Sequence, residues 1–233
     1  MESTLWPYPG SRWWKFDFHT HTPASTDTPW ARAGAGVSPE EWLLKYMAAG
    51  IDCVAVTDHN SGAWIDRLKV AYTGMKTQAD LGPAPPGFRL LTIFPGVEIS
   101  VSGGFHLLAL FDPSASTRTI TDVLAAVRYQ GTDGDSDGVT REGPGAVIKG
   151  VLDAGGIPIP AHADRPGESG KGLLALREGG GASRLDANTL RQIFNSTPLL
   201  AAEWEDMARQ PPACVKASVD KPARVLGSDC HTF

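Results

Sequence analysis

Cysteine is scarce in this 233-residue chain, which has only Cys53, Cys214 and Cys230. An odd, widely spaced set excludes a disulfide framework, and no C-x-x-C pair suggests a cysteine-bound metal. No apolar run approaches the roughly 20 residues needed to span a bilayer. The start, Met1 to Gly10, lacks the basic head and apolar core of a signal peptide. Positive charge is thin too: 21 Lys and Arg stand against 26 Asp and Glu, a formal net charge of −5, with no basic run. That excludes a broad non-specific nucleic-acid footprint, while a small basic groove stays open. Together these absences describe a soluble protein of a reducing cytosol, with no membrane partner.

What is present is an ordinary globular balance, 42% hydrophobic and 20% charged, which excludes disorder of the whole chain. The length suits one domain, since α/β barrels often run about 200–250 residues as a single unit. No internal repeat or linker divides residues 1–233, so one domain is expected. A regular βα alternation would place a helix after the last strand run. Its absence before Phe233 suggests the N-terminal domain of a longer protein.

Seven short apolar runs read as strands: Lys15–Thr22, Cys53–Asn60, Leu90–Ser100, Phe105–Phe111, Ile157–Asp164, Leu199–Asp206 and Arg224–Cys230. Near-continuous apolar runs of this length suit strands buried on both faces of a parallel sheet. Helical patterns fall between them. Ser38, Pro39 and Glu41 form a capping start, with Trp42, Leu43, Tyr46 and Met47 as the apolar face and Gly50 as the stop. Further helices are expected over Gly62–Ala79, Ile120–Tyr129 (with Thr121 as cap), Gly145–Ala154 and Asp186–Phe194. Gly131–Gly143 and Gly167–Ser183 read as mobile loops. Strands alternating with helices imply βα units.

The six histidines carry most of the information. His19 and His21 end the first run, and a two-residue spacing puts them on one side of an extended strand. His59 ends the second run, Glu98 the third and His162 the fifth; His106 lies in the fourth; Asp229 and His231 close the seventh, again co-facial. In a parallel barrel, strand C-terminal ends meet at one rim, so these residues converge. A lone histidine near a strand end is usually a satisfied core or surface residue. Six such histidines with interleaved carboxylates point to a metal centre. Cys230 points away from Asp229 and His231 in an extended segment, leaving a nitrogen and oxygen set that suits Mn²⁺, Fe²⁺ or Zn²⁺.

HTHT at 19–22 with Asp27 downstream, TDHN at 57–60, PGVEIS at 95–100, FHLLALF at 105–111, AHAD at 161–164 and GSDCH at 227–231 together resemble the polymerase-and-histidinol-phosphatase (PHP) family, in the family's motif order. The resemblance implies a distorted (β/α)₇ TIM-like barrel and a metal-dependent phosphoesterase, phosphatase or nuclease. Two or three divalent ions are implied. The first would take His19, His21, Glu98 and Asp229. Glu98 would bridge to a second held by His106 and His162, and Asp27, His59 and His231 would hold a third. Asp27 stands where some members have histidine. The opening PGSRWWKFDFHTHTPAST is more narrowly similar to PHP modules fused to an SMC-like or AAA-like ATPase, which implies a C-terminal ATPase domain as partner.

The implied chemistry is attack on phosphorus by a hydroxide held between two ions, with Glu98 and Asp229 at its centre. Arg165, directly after AHAD, is the candidate cation for the phosphate oxygens, with Lys171 behind it. The substrate would be a phosphomonoester, a nucleotide or a nucleic-acid end. Rivals are a nuclease module of an ATPase-linked protein, a metallohydrolase cleaving C–N or C–O bonds, and a non-catalytic metal-stabilised module. Asp58 and Asp17 are each either outer partners of the ligands or structural, and Glu203 or Glu205 should find a partner near the rim. Trp6, Trp13, Trp14 and Trp30 read as core or barrel-bottom packing rather than a base-stacking platform.

Overall fold

The structure is a computed structural model that describes residues 13–32, 36–165, 171–174, 185–196, 198–219 and 221–232. Trp6 and most of the Gly167–Ser183 stretch lie outside these. The elements in chain order are β1 (Phe16–Asp17), α1 (Pro29–Arg32), α2 (Pro39–Ala48), β2 (Cys53–Val56), α3 (Ile65–Leu81), β3 (Thr92–Val101), β4 (Phe105–Leu110), α4 (Thr117–Ala126), β5 (Tyr129–Gln130), β6 (Val139–Thr140), α5 (Pro144–Asp153), β7 (Ile157–Pro160), α6 (Ala187–Ser196), β8 (Ala201–Glu203), α7 (Lys216–Val219) and β9 (Ala223–Val225). No helix among the described residues is long and apolar enough to cross a membrane.

Five strands form one curled sheet in the order β1-β2-β3-β4-β7, and β8 pairs with β9 apart from it. This is a half-barrel that does not close, consistent with the distorted TIM-like barrel expected. A few hydrogen bonds bridge the two seams. Ala163 N–H donates to Glu203 O at 2.7 Å, and Asp229 N–H donates to His19 O at 2.9 Å. Asp17 also ties the second seam, its Oδ1 accepting from Ser228 N–H at 3.1 Å.

The all-parallel expectation fails at one strand. β1, β2 and β3 run parallel, but β4 is antiparallel to both β3 and β7. The cause is local. Only Ser102, Gly103 and Gly104 separate β3 from β4, and a parallel crossover needs a dozen or more residues. Both glycines take positive φ, 101° and 80°, as a tight hairpin requires.

Period-two alternation then sorts the side chains of β3 and β4. Val97, Ile99, Val101, Leu107 and Ala109 face the helices within the main core. Leu108 and Leu110 point to the concave face, where they pack with Ala55, Ile159, Ala161 and Ala201. Glu98 and His106 share the parity of that second group. The site therefore sits on a small apolar plug inside the curl. Leaving a carboxylate on such a plug costs several kcal/mol unless it is paired, so its partners are structural necessities.

Helix α2 begins as expected: Ser38 accepts from Glu41 N–H, and Glu41 reaches back to Ser38 N–H. Its buried Trp42 donates from Nε1 to His21 O at 3.0 Å, fastening the helix to the site segment. Helix α4 starts earlier than expected, capped at Ser116 instead of Thr121, because Thr119 completes a box with Ser116. The expected loop over Gly131–Gly143 contains β6, paired with β5 in a short hairpin. Trp30 is buried in the core, but Trp13 is almost fully exposed and Trp14 is 44% exposed, which corrects the packing expectation for these two.

The box at Ser38 gives a direct test of local stability. Ser38→Ala should lower unfolding free energy by about 1 kcal/mol, read as a shifted urea midpoint at constant slope. No change would mean that packing of Trp42 alone holds the helix start.

Candidate metal centre

All nine expected ligand residues come to one end of the curled sheet. His19 and His21 follow β1, His59 follows β2 and Glu98 lies within β3. His106 is the second residue of β4, so reversal of that strand brings it to the same rim as the ends of its parallel neighbours. His162 follows β7 and Asp229 and His231 follow β9. Backbone strain marks the rim: His162 has φ 30°, Asp229 48° and Asn60 44°, values that residues other than glycine rarely take.

Glu98 is the centre. Its Oε2 has Nε2 of His19, His21 and His59 at 3.2, 3.4 and 3.1 Å. Its Oε1 has His106 Nδ1 at 2.6 Å and His162 Nε2 at 3.1 Å. Although three nitrogens surround it, buried Oε2 accepts no hydrogen bond. The far nitrogens explain this. His19 Nδ1 is bonded to Glu203 Oε2 at 2.8 Å, His21 Nδ1 to Ser25 Oγ at 2.9 Å, and His59 Nδ1 to Asp27 Oδ1 at 2.6 Å. With Nδ1–H donating outward, each neutral ring turns a bare Nε2 lone pair toward a carboxylate oxygen. Lone pairs so placed repel unless positive charge lies between them. Protons are one remedy and a divalent cation is the other, and the donor set fits the cation.

Three groups of donor atoms lie close enough to share an ion: His19, His21, Glu98 and Asp229; His59, Glu98 and His106; and His21, His59 and His231. Glu98 joins two of these groups. His231 is the most open member, stacked on His21 with ring centroids 4.3 Å apart.

The groups behind the ligands are mostly carboxylates. Buried Glu203 accepts from His19 and also from His162 N–H at 2.7 Å. Asp58 is fully buried and accepts from Thr22 N–H and Oγ1, both at 2.7 Å, and from Ser25 Oγ at 2.8 Å, so it steers His21 through Ser25. Asp27 Oδ2 accepts from Ser136 N–H at 3.1 Å and Ser136 Oγ at 2.7 Å. Asp27 thus stands behind His59, anchored by the β5–β6 hairpin. The hairpin docks closely: Thr26 N–H donates to Gly134 O at 2.6 Å. A Cβ on Gly134, whose φ is 85°, would lie 2.1 Å from Ala24 O.

Arg165 divides its donors between Glu205 Oε1, 2.7 Å from Nε, and Asp229 Oδ2. The Lys171 carbonyl accepts from His106 N–H at 2.9 Å. The Cys230 thiol turns to Thr232 O. Ser25 and Ser136 were missed from the sequence. Ser25 carried a signal, four residues beyond His21, whereas only the fold brings Ser136 to Asp27.

Burial pushes His21 down to about 3. Burial also opposes charge on His59, but the carboxylates of Asp27 and Glu98 beside it outweigh this and raise it to about 10. Burial likewise opposes a charge on His19, which Glu98 and Glu203 nonetheless hold well above its ordinary value. Burial would raise Glu98, yet His106 and His19 keep it well below the usual carboxylate range.

These shifts fix the sign of a linkage. A metal takes the neutral imidazole, so loading must displace protons from His19 and His59. Below about pH 10, the value for His59, affinity should rise with pH and binding should release protons. Titration calorimetry in two buffers of different ionisation enthalpy measures that release, and identical heats would contradict it. Separately, Glu203→Ala should weaken metal binding by about 10–100-fold by freeing the His19 ring.

No family model matches the chain, and no curated protein does either. Solved structures do resemble it. A protein of Bifidobacterium adolescentis assigned as a metal-dependent phosphoesterase superposes with a TM-score of 0.56 at 17% identity, over 96% of this chain and 90% of that one. The lesion-specific Endonuclease Q of Pyrococcus furiosus gives 0.60 at 13% identity, over 93% of this chain and 48% of the other. Endonuclease Q in complex with a 27-mer duplex, an abasic lesion at its active site, gives 0.56 at 15% identity, over 93% and 48%. The likeness is one of fold: this chain has a mixed α/β architecture shared with a metal-dependent phosphoesterase and with a DNA endonuclease.

Proposed function

We propose that this chain is a metal-dependent phosphoesterase with a trinuclear centre. The observation that carries the proposal is buried Glu98 Oε2, ringed by three imidazole nitrogens and accepting no hydrogen bond. His19, His21, Glu98 and Asp229 would hold one ion, and Glu98, His106 and His162 a second. His21, His59 and His231 border the third position, with Asp27 behind His59. Mn²⁺, Zn²⁺ and Fe²⁺ all suit this nitrogen and oxygen set.

Bound there, divalent ions supply Lewis acidity toward phosphoryl oxygen and make water nucleophilic at neutral pH. The chain's own residues do the rest. Glu98 would help hold ions on both sides, with Oε2 toward His19, His21 and His59 and Oε1 toward His106 and His162. Glu203, Ser25 and Asp27 fix the rings of His19, His21 and His59, so that no reorganisation is needed at reaction. His231 is the most exposed of the candidate ligands.

A nuclease is the second reading, supported by the fold shared with Endonuclease Q. The net charge of −5 favours small esters or strand ends over long duplexes.

Elemental analysis of chelator-free protein should find two or three divalent ions per chain. Phosphate release or strand cleavage, assayed with Mn²⁺ on an aryl phosphate, mononucleotides and single- and double-stranded oligonucleotides, should then separate phosphatase from nuclease. Glu98→Gln should lose metal and lower turnover on the order of a hundredfold or more. Less than one ion per chain after Mn²⁺ soaking, with no turnover, would end the catalytic reading.

A further inference from the structure

We propose that Arg165 is a positioning residue that holds Asp229 as a metal ligand, and that it is not the clamp for the substrate phosphate. This rests on the metal-dependent reading above and names one of its working parts.

Asp229 shows its two oxygens to different neighbours. Oδ1 lies 3.3 Å from Nε2 of both His19 and His21. Oδ2 accepts from Arg165 Nη2. The carboxylate thus stands between the guanidinium and the imidazoles. Arg165 is itself held in place: Nε donates to Glu205 Oε1 at 2.7 Å, and its backbone N–H donates to His162 O at 2.8 Å. Glu205 is fixed in turn through its backbone. Buried Asp164 accepts from Glu205 N–H at 2.7 Å and from Asp206 N–H at 3.0 Å, and Arg209 closes on the same carboxylate at 3.1 Å. A line of charge-assisted bonds therefore runs from Asp164 to the metal-facing carboxylate.

Asp229 requires such support. Its φ of 48° is unfavourable for a side-chain-bearing residue, and beyond the end of β9 a short backbone bridge, Asp229 N–H to His19 O and His21 N–H to Cys230 O, holds the main chain but leaves the carboxylate to side-chain partners. A strained residue keeps one orientation only when its surroundings over-determine it. Three other candidate ligands obey the same rule. Glu203 stands behind His19, Ser25 behind His21 and Asp27 behind His59. Arg165 completes the set for Asp229. An arginine poised for phosphate would offer its Nε and Nη2 edge to one oxyanion, whereas here that edge is shared between two carboxylates.

The test compares wild type, Arg165→Ala, Arg165→Lys and Glu205→Gln, each purified metal-free as the full chain. Mn²⁺ binding is measured without substrate, by the electron paramagnetic resonance signal of the free ion. Aryl phosphate hydrolysis follows at saturating Mn²⁺. Arg165→Ala should weaken one Mn²⁺ by about 10–100-fold and lower kcat, with KM within about threefold of wild type. Arg165→Lys should recover only part of the binding, since an ammonium lacks the planar fork. Glu205→Gln should weaken the same ion by a smaller factor, and it carries the test if Arg165→Ala fails to fold. Mn²⁺ isotherms that match wild type overturn the proposal, and a KM raised about tenfold alongside them would assign the phosphate clamp instead. Wild-type protein that takes up no Mn²⁺ overturns the metal-dependent reading itself, and this inference with it.

Discussion

One buried carboxylate organises this molecule. Glu98 is almost fully buried, within reach of five imidazoles, above an apolar plug built from Leu108, Leu110, Ile159 and three alanines. In that setting a lone negative charge would cost several kcal/mol, and so would a cluster of unpaired imidazolium groups. Each is tolerable only because of the other, or because a cation replaces the protons. The same electrostatic demand explains why the surrounding segments end where they do. Each brings one or two donors to the rim and then turns away.

Precision comes from the layer behind the ligands. The rings facing Glu98 Oε2 are each bonded at the far nitrogen, and the bonding groups are themselves held: Glu203 by two site residues, Ser25 by Asp58, Asp27 by Ser136. Three rim residues take positive φ, at about 1–3 kcal/mol each. Such strain persists only in a dense bonding network, and the network here extends from α2, through Trp42, to the β5–β6 hairpin. The fold's helices and hairpin therefore contribute to site geometry as well as to stability.

The two halves of the sheet bear different tasks. The β1-β2-β3-β4-β7 ladder carries His106 and Glu98 on regular strands and places His19, His21, His59 and His162 just beyond their ends. Asp229 and His231 reach the site from the segment after β9, joined to the segment after β1 by a short backbone bridge, Asp229 N–H to His19 O and His21 N–H to Cys230 O. A ligand presented from such a segment depends more on side-chain support, which is where Arg165, Glu205 and Asp164 meet.

The sequence by itself determined which histidines and carboxylates stand at the ends of the strand segments, and in what order. Histidines and carboxylates at the ends of apolar runs are informative because period-two geometry and burial leave them few other uses. It also contained the reversal of β4, in the three-residue link Ser102–Gly104, although the apolar pattern of that strand alone does not show direction. Tertiary structure decided what spacing cannot encode. It set which oxygen of Glu98 faces which ring, brought Ser136 beside Asp27 across 109 positions, and left the sheet as a half-barrel. It also gave Arg165 to Asp229. Those outcomes depend on contacts between residues far apart in the chain, whose energies exist only once the backbone has closed around them.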